Sequence, residues 1–147
     1  MEYKAKALVL SCIDFRFQKM IEDFIEKDLN YIQSYDRVAV AGAIKQLVHP
    51  AKPEYKEYLL QQINISVSLH DPHTIILINH EDCGAYGSDN DRSTHEKDLQ
   101  DAYILLKGIY KEREIKLYMA TFKGLESVKP ISQMHQKHAV HISASRS

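Results

Sequence analysis

The chain has 147 residues, 44% of them apolar and 27% charged, with 19 basic against 20 acidic side chains and a formal net charge of −1. That length supports one domain, spanning 1–147, with a hydrophobic core of its own, and the balanced charge excludes a field that gathers nucleic acid or an anionic membrane surface. No stretch reaches the roughly 18 apolar residues of a membrane-spanning helix, and the N-terminal apolar run is too short for a secretory signal, so a cytoplasmic protein is expected.

Lys6 to Cys12 ("KALVLSC") is an apolar run without polar alternation, the pattern of a strand buried on both faces. Phe17, Met20, Ile21, Phe24, Ile25 and Leu29 follow at helical spacing, with lysines and glutamates opposite. Arg37 to Gly42 ("RVAVAG") is a second short strand, and His49 to Pro53 a turn. Glu54 to His70 reads as a helix with Tyr55, Leu59, Ile63 and Val67 on one stripe. Thr74 to Asn79 ("TIILIN") is the clearest strand, β-branched and uncharged. After a polar loop (Gly87 to Thr94), a third helix carries Leu99, Ala102, Tyr103 and Leu106 on one side, and Ile115 to Phe122 is a fourth strand. Beyond Gly124 the pattern fades, and about 125–147 is read as a peripheral tail.

Alternating strands and helices predict an α/β fold: a single domain with a central, mostly parallel sheet flanked by helices. A strand order of 2-1-3-4 opens a crevice at the carboxyl ends of the first and third strands. Cys12 ends the first of these, and His80 and Cys83 follow the other.

These are the chain's only two cysteines, and with His80 they make a Cys2His set. Such a set suits Zn2+ and leaves one position of a tetrahedron open, the catalytic rather than the structural pattern. If the strand stays extended through "CIDFR", Cys12, Asp14 and Arg16 share one face and Ile13 and Phe15 the other. Asp14 then has two options. It takes the fourth zinc position and closes the site, or it pairs with Arg16 and leaves the zinc to water, whose pKa falls toward about 7.

C-x-D-x-R at the end of a first strand, with H-x-x-C-G after a later one, resembles the β-class carbonic anhydrases. The resemblance runs from about Ala7 to Phe122. It implies zinc on Cys12, His80 and Cys83, a catalytic dyad of Asp14 and Arg16, the 2-1-3-4 sheet, and a homodimer or larger homo-oligomer. The chain departs from the family in three places. Phe15 stands where the family has serine. Val38 to Ile44 ("VAVAGAI") keeps the Ala41-Gly42 pair of the family's arginine-asparagine-alanine-glycine-asparagine run but not its polar residues. A long N-terminal helical arm has no counterpart before the first strand.

Other residues carry plainer expectations. Glu81 and Asp82 supply favourable charge at a helix N-terminus. Gly42 supplies a special backbone angle or a close approach. His49, His70, His73 and His95 are surface or loop residues, and His135, His138 and His141 belong to a solvated tail. The function expected is zinc-dependent hydration of carbon dioxide to bicarbonate by a zinc-bound hydroxide, with no nucleic-acid or membrane partner. Two alternatives stand beside it: a carbonyl sulfide or carbon disulfide hydrolase on the same site, suggested by Phe15 and the apolar "AGAI" stretch, and a non-catalytic zinc-binding or regulatory protein.

Overall fold

A computed structural model describes residues 3–132 of the chain. Its centre is a five-stranded sheet in the order β2-β1-β3-β4-β5. The strands are β1 (Ala7–Ser11), β2 (Tyr35–Ala39), β3 (Thr74–His80), β4 (Glu114–Thr121) and β5 (Gly124–Val128). The first four run parallel and β5 returns antiparallel to β4. The expected 2-1-3-4 arrangement is therefore present, extended by one strand.

Strands β1 and β3 are buried along their whole lengths, which is why both lack polar alternation. Their period of two divides the core. Leu8, Leu10, Ile75 and Leu77 pack on one face against α2 (Ile44–Val48), α3 (Pro53–His70) and α4 (Arg92–Ile109). Ala7, Val9, Ile76 and Ile78 pack on the other against Phe17, Ile21 and Ile25 of the first helical segment.

That segment is not one regular helix. A 3-10 turn (Phe15–Phe17) leads into α1 (Gln18–Asp23), and Phe24–Asp28 widens into a π turn closed by the Leu29 N–H on the Phe24 carbonyl at 3.0 Å. The spacing of apolar residues tolerates this, since Ile21 and Ile25 stay buried on either side of the change.

Strand β2 lies at the sheet edge and is half-buried, so it accommodates Asp36 and Arg37 and begins earlier than its apolar run. Helix α3 starts with Pro53 in its first turn and ends at Asp71 in the left-handed region (φ 47°). Asp91 caps α4 by accepting the Thr94 N–H at 2.8 Å. Residues 124–128, assigned by sequence to a tail, are instead β5; Thr121 faces Gly124 across a tight turn, and Leu125 and Val128 pack toward opposite cores. His135, His138 and His141 lie outside the described residues. No helix among the described residues is long and apolar enough to cross a membrane.

Candidate metal centre

The crevice at the carboxyl ends of β1 and β3 holds the residues singled out by sequence. Cys12 leaves β1 half-buried, His80 is the last residue of β3, and Cys83 lies in the loop behind it, 3% exposed. The two sulfurs and a ring nitrogen of His80 lie within 4.8 Å of one another.

The His80 ring is oriented by its own loop. Nδ1 donates to the Glu81 carbonyl at 2.7 Å, which leaves Nε2 as the lone pair. Nε2 is buried and has no hydrogen-bond partner. Phe17 packs against the same ring at 4.6 Å between centroids. A buried, unpartnered imidazole nitrogen beside two thiols is what a soft divalent ion satisfies, so this donor set fits zinc.

The thiols differ. The neighbouring Cys83 holds the Cys12 thiol below the usual thiol range; the His80 ring and the Gly42 N–H, 3.4 Å from Cys12 Sγ, assist against the opposing effect of burial. Cys83 is pushed up, by the adjacent Cys12 first and by burial second. Gly42 has φ 74°, and a Cβ there meets the Ala85 Cβ at 2.9 Å. The close approach expected at this glycine is therefore real, and it brings a main-chain N–H to the sulfur.

The segment after Cys12 does not stay extended, contrary to the sequence reading. Asp14 caps the 3-10 turn, its Oδ1 accepting the Arg16 main-chain N–H at 3.0 Å. The turn still brings Asp14 and Arg16 together. Arg16 donates through Nε to Asp14 Oδ1 at 3.0 Å and through Nη2 to Oδ2 at 2.7 Å. This guanidinium holds the Asp14 carboxyl down to about 2, so it is ionised at neutral pH. Asp14 Oδ2 also stands 3.9 Å from His80 Nε2. In this structure Asp14 is paired with Arg16.

Phe15 neither blocks the cleft nor packs behind the strand. It is 85% exposed, and with Ile13 (57%) it makes an apolar lip. The cleft is open, about 740 Å³, and Ala41, Gly42 and Ala85 line its inner wall.

Several contributors were not evident from sequence. Glu81 does not serve a helix N-terminus; its carboxylate accepts the Phe122 N–H at 2.6 Å. Asp82, also read as a helix-terminus charge, adopts φ 55° and takes Arg16 Nη1 on Oδ2 at 2.8 Å. Asn90 Oδ1 accepts the Cys83 N–H at 3.0 Å and sits 2.8 Å from His95 Nε2. His95 is not a surface residue. It is 1% exposed and packs edge-on to Tyr86 at 4.1 Å. Its place on the α4 face that carries Leu99 and Ala102 is the signal that was available. His70 is half-buried and bonded to Asp36 at 2.6 Å, whereas His49 and His73 are exposed as expected.

Known proteins share the sequence pattern and the fold of this chain. An uncharacterized protein of Rickettsia bellii is 31% identical over 142 residues, covering 92% of this chain and 85% of that protein. A carbonic anhydrase from Streptococcus mutans shares the fold with a TM-score of 0.59 at 14% identity, covering 88% of this chain and 86% of that one. The apo form of a carbon disulfide hydrolase has a TM-score of 0.56 at 15% identity, covering 86% and 79%. Residues 2–129 match the family model described as "Putative carbonic anhydrase", and the chain belongs to that β-carbonic anhydrase-like family.

Proposed function

We propose that this chain is a zinc hydro-lyase that interconverts carbon dioxide and bicarbonate, with Cys12, His80 and Cys83 as zinc ligands and Asp14 and Arg16 as the catalytic dyad. The observation that carries the reading is the convergence, in one open cleft, of three clustered donor atoms and an ionised carboxylate held by a guanidinium. Zinc in such a set supplies a nucleophile from water at neutral pH.

The chain's own residues do the rest. Asp14 is an acceptor only, because its pKa is far below neutrality, so it takes a hydrogen bond from reacting water and aims a lone pair into the cleft. Arg16 keeps that carboxylate from rotating. Ala41, Ala85 and the lip of Ile13 and Phe15 offer apolar surface to an uncharged linear substrate. Carbon dioxide and water give bicarbonate and one proton, which leaves to buffer through the open mouth.

The test is stopped-flow carbon dioxide hydration on protein whose zinc is assayed in the same preparation. Stoichiometric zinc with hydration lost in Asp14→Ala supports the proposal. Full hydration in that variant refutes the dyad.

The exposed Phe15 lip favours a second reading, hydrolysis of carbonyl sulfide or carbon disulfide on the same site. Sulfide release from those substrates, without carbon dioxide hydration, selects it. Stoichiometric zinc with no turnover of any of the three selects a zinc-binding or regulatory role. We expect a homo-oligomer, since Ile13, Phe15 and Phe122 leave apolar surface near the cleft for a second copy to cover, and light scattering measures its size.

A further inference from the structure

Arg16 is gripped along two edges. Its Nε/Nη2 edge holds Asp14. Its other edge is closed by the loop after β3: Nη1 donates to Asp82 Oδ2 at 2.8 Å, and Nη2 to the Asp82 main-chain carbonyl at 2.8 Å. Beneath the guanidinium lie the rings of Phe122 and Phe17, 5.3 and 5.8 Å from its carbon.

Asp82 is itself fixed from behind. Asn90 Oδ1 accepts the Cys83 N–H, which identifies the other amide atom as the donor Nδ2, and this reaches Asp82 Oδ1 at 3.4 Å. Because Asn90 Oδ1 is an acceptor, His95 Nε2 donates to it at 2.8 Å from its buried position in the first turns of α4. A continuous polar chain thus runs from His95 through Asn90, Asp82 and Arg16 to Asp14. It crosses from α4 to the end of β1 without using a proposed zinc ligand's side chain.

We infer that Asp82 is a positioning residue for the Asp14–Arg16 dyad: it closes the second edge of the Arg16 fork, and Asn90 with His95 holds Asp82 in place. The inference rests on the dyad assigned above and adds to it the residue that fixes the dyad's orientation. An ordinary exposed ion pair engages one group with one group. Here one side chain and its own carbonyl take a whole edge of a guanidinium whose remaining edge is already bidentate. With the Asp82 carboxylate removed, Nη1 loses its partner and only the main-chain carbonyl remains on this edge, so Arg16 is freer to swing about its Nε and to shift Asp14 with it.

The experiment uses the zinc-loaded full chain with Asp82→Asn and Asp82→Gly. Both residues tolerate the left-handed backbone at this position, so loss of folding does not stand in for loss of the contact. The direct readout is NMR of the Arg16 Nε–H, whose exchange with solvent reports the hold on the guanidinium whether or not the protein turns over. We expect both variants to keep stoichiometric zinc; Asp82→Gly, which removes the side-chain acceptor altogether, should exchange this proton faster and lower kcat for carbon dioxide hydration about tenfold with KM unchanged, and Asp82→Asn, which keeps a neutral acceptor, should show a smaller effect in the same direction. Unchanged Arg16 exchange in Asp82→Gly overturns the inference, and so does a loosened Arg16 with wild-type kcat. If the wild-type protein hydrates nothing, the anhydrase reading fails by itself; the exchange measurement then decides alone whether Asp82 holds the pair.

Discussion

The Nδ1–H of His80 lies 2.7 Å from the carbonyl oxygen of Glu81, the next residue in the chain. That single contact decides which ring nitrogen faces Cys12 and Cys83. The third donor is therefore oriented by main chain, before any metal arrives.

Cys83→Ser removes one soft ligand from this preset group. Zinc assayed after gel filtration should fall well below stoichiometric. The stability consequence should appear only with metal present. At free zinc roughly 100 times the wild-type dissociation constant, the wild type gains about 2.7 kcal/mol in urea unfolding, and the variant gains little. Stoichiometric zinc in Cys83→Ser refutes the ligand set.

Asp14→Ala leaves the three donors untouched, so zinc content stays at the wild-type level. Loss of a hydrogen-bond acceptor that aims the reacting water should lower kcat/KM for hydration by about 10²-fold. Zinc assay and stopped-flow measurement on one sample separate this from simple metal loss.

Gly42→Ala tests the close approach at the wall of the cleft. The new Cβ meets Ala85 at 2.9 Å on a backbone of φ 74°. Strain and overpacking together should cost about 1–3 kcal/mol, read as a shift of the urea midpoint. An unchanged midpoint means the loop carrying Ala85 yields freely.

His95 is buried, and desolvation lowers its pKa. A base whose folded pKa lies below its unfolded value near 6.5 contributes stability that is full above 6.5 and is lost as pH falls through the folded value. His95→Phe keeps a ring against Tyr86 and removes the titration. In metal-free protein, the drop in urea midpoint between pH 7.5 and pH 5.5 should be smaller in the variant than in the wild type. An equal drop places the relevant proton elsewhere.

The chain's own patterns carried much of this. Uninterrupted apolar runs announced β1 and β3 because both are covered on two faces; their alternation with helices pointed to a parallel sheet, and the family resemblance implied its 2-1-3-4 order. Cys12, His80 and Cys83 were legible because both cysteines of the chain fall at the ends of these two strands. Strand β5 was not legible: it is five residues long, half-exposed and antiparallel, and its Glu126 and Ser127 point to water. The turn at Phe15–Phe17 was missed because a strand's alternation and a capped 3-10 turn both bring Asp14 near Arg16. Asp82 was misread because its role depends on Arg16, 66 positions away in sequence, and on a left-handed backbone that an aspartate does not advertise.

The site has no contiguous half large enough to work alone. His80 and Cys83 follow β3, but Cys12 arrives from β1, so these two parallel strands must be in register before the donor set exists, and the loop after β2 then brings the Gly42 N–H to the Cys12 sulfur. In kinetic terms, metal capture is an event of the finished sheet. Under the proposed zinc reading, the metal is a brake on unfolding rather than an accelerator of folding: the unfolding limb of the chevron should slow when zinc is added, while the folding limb should stay where it was.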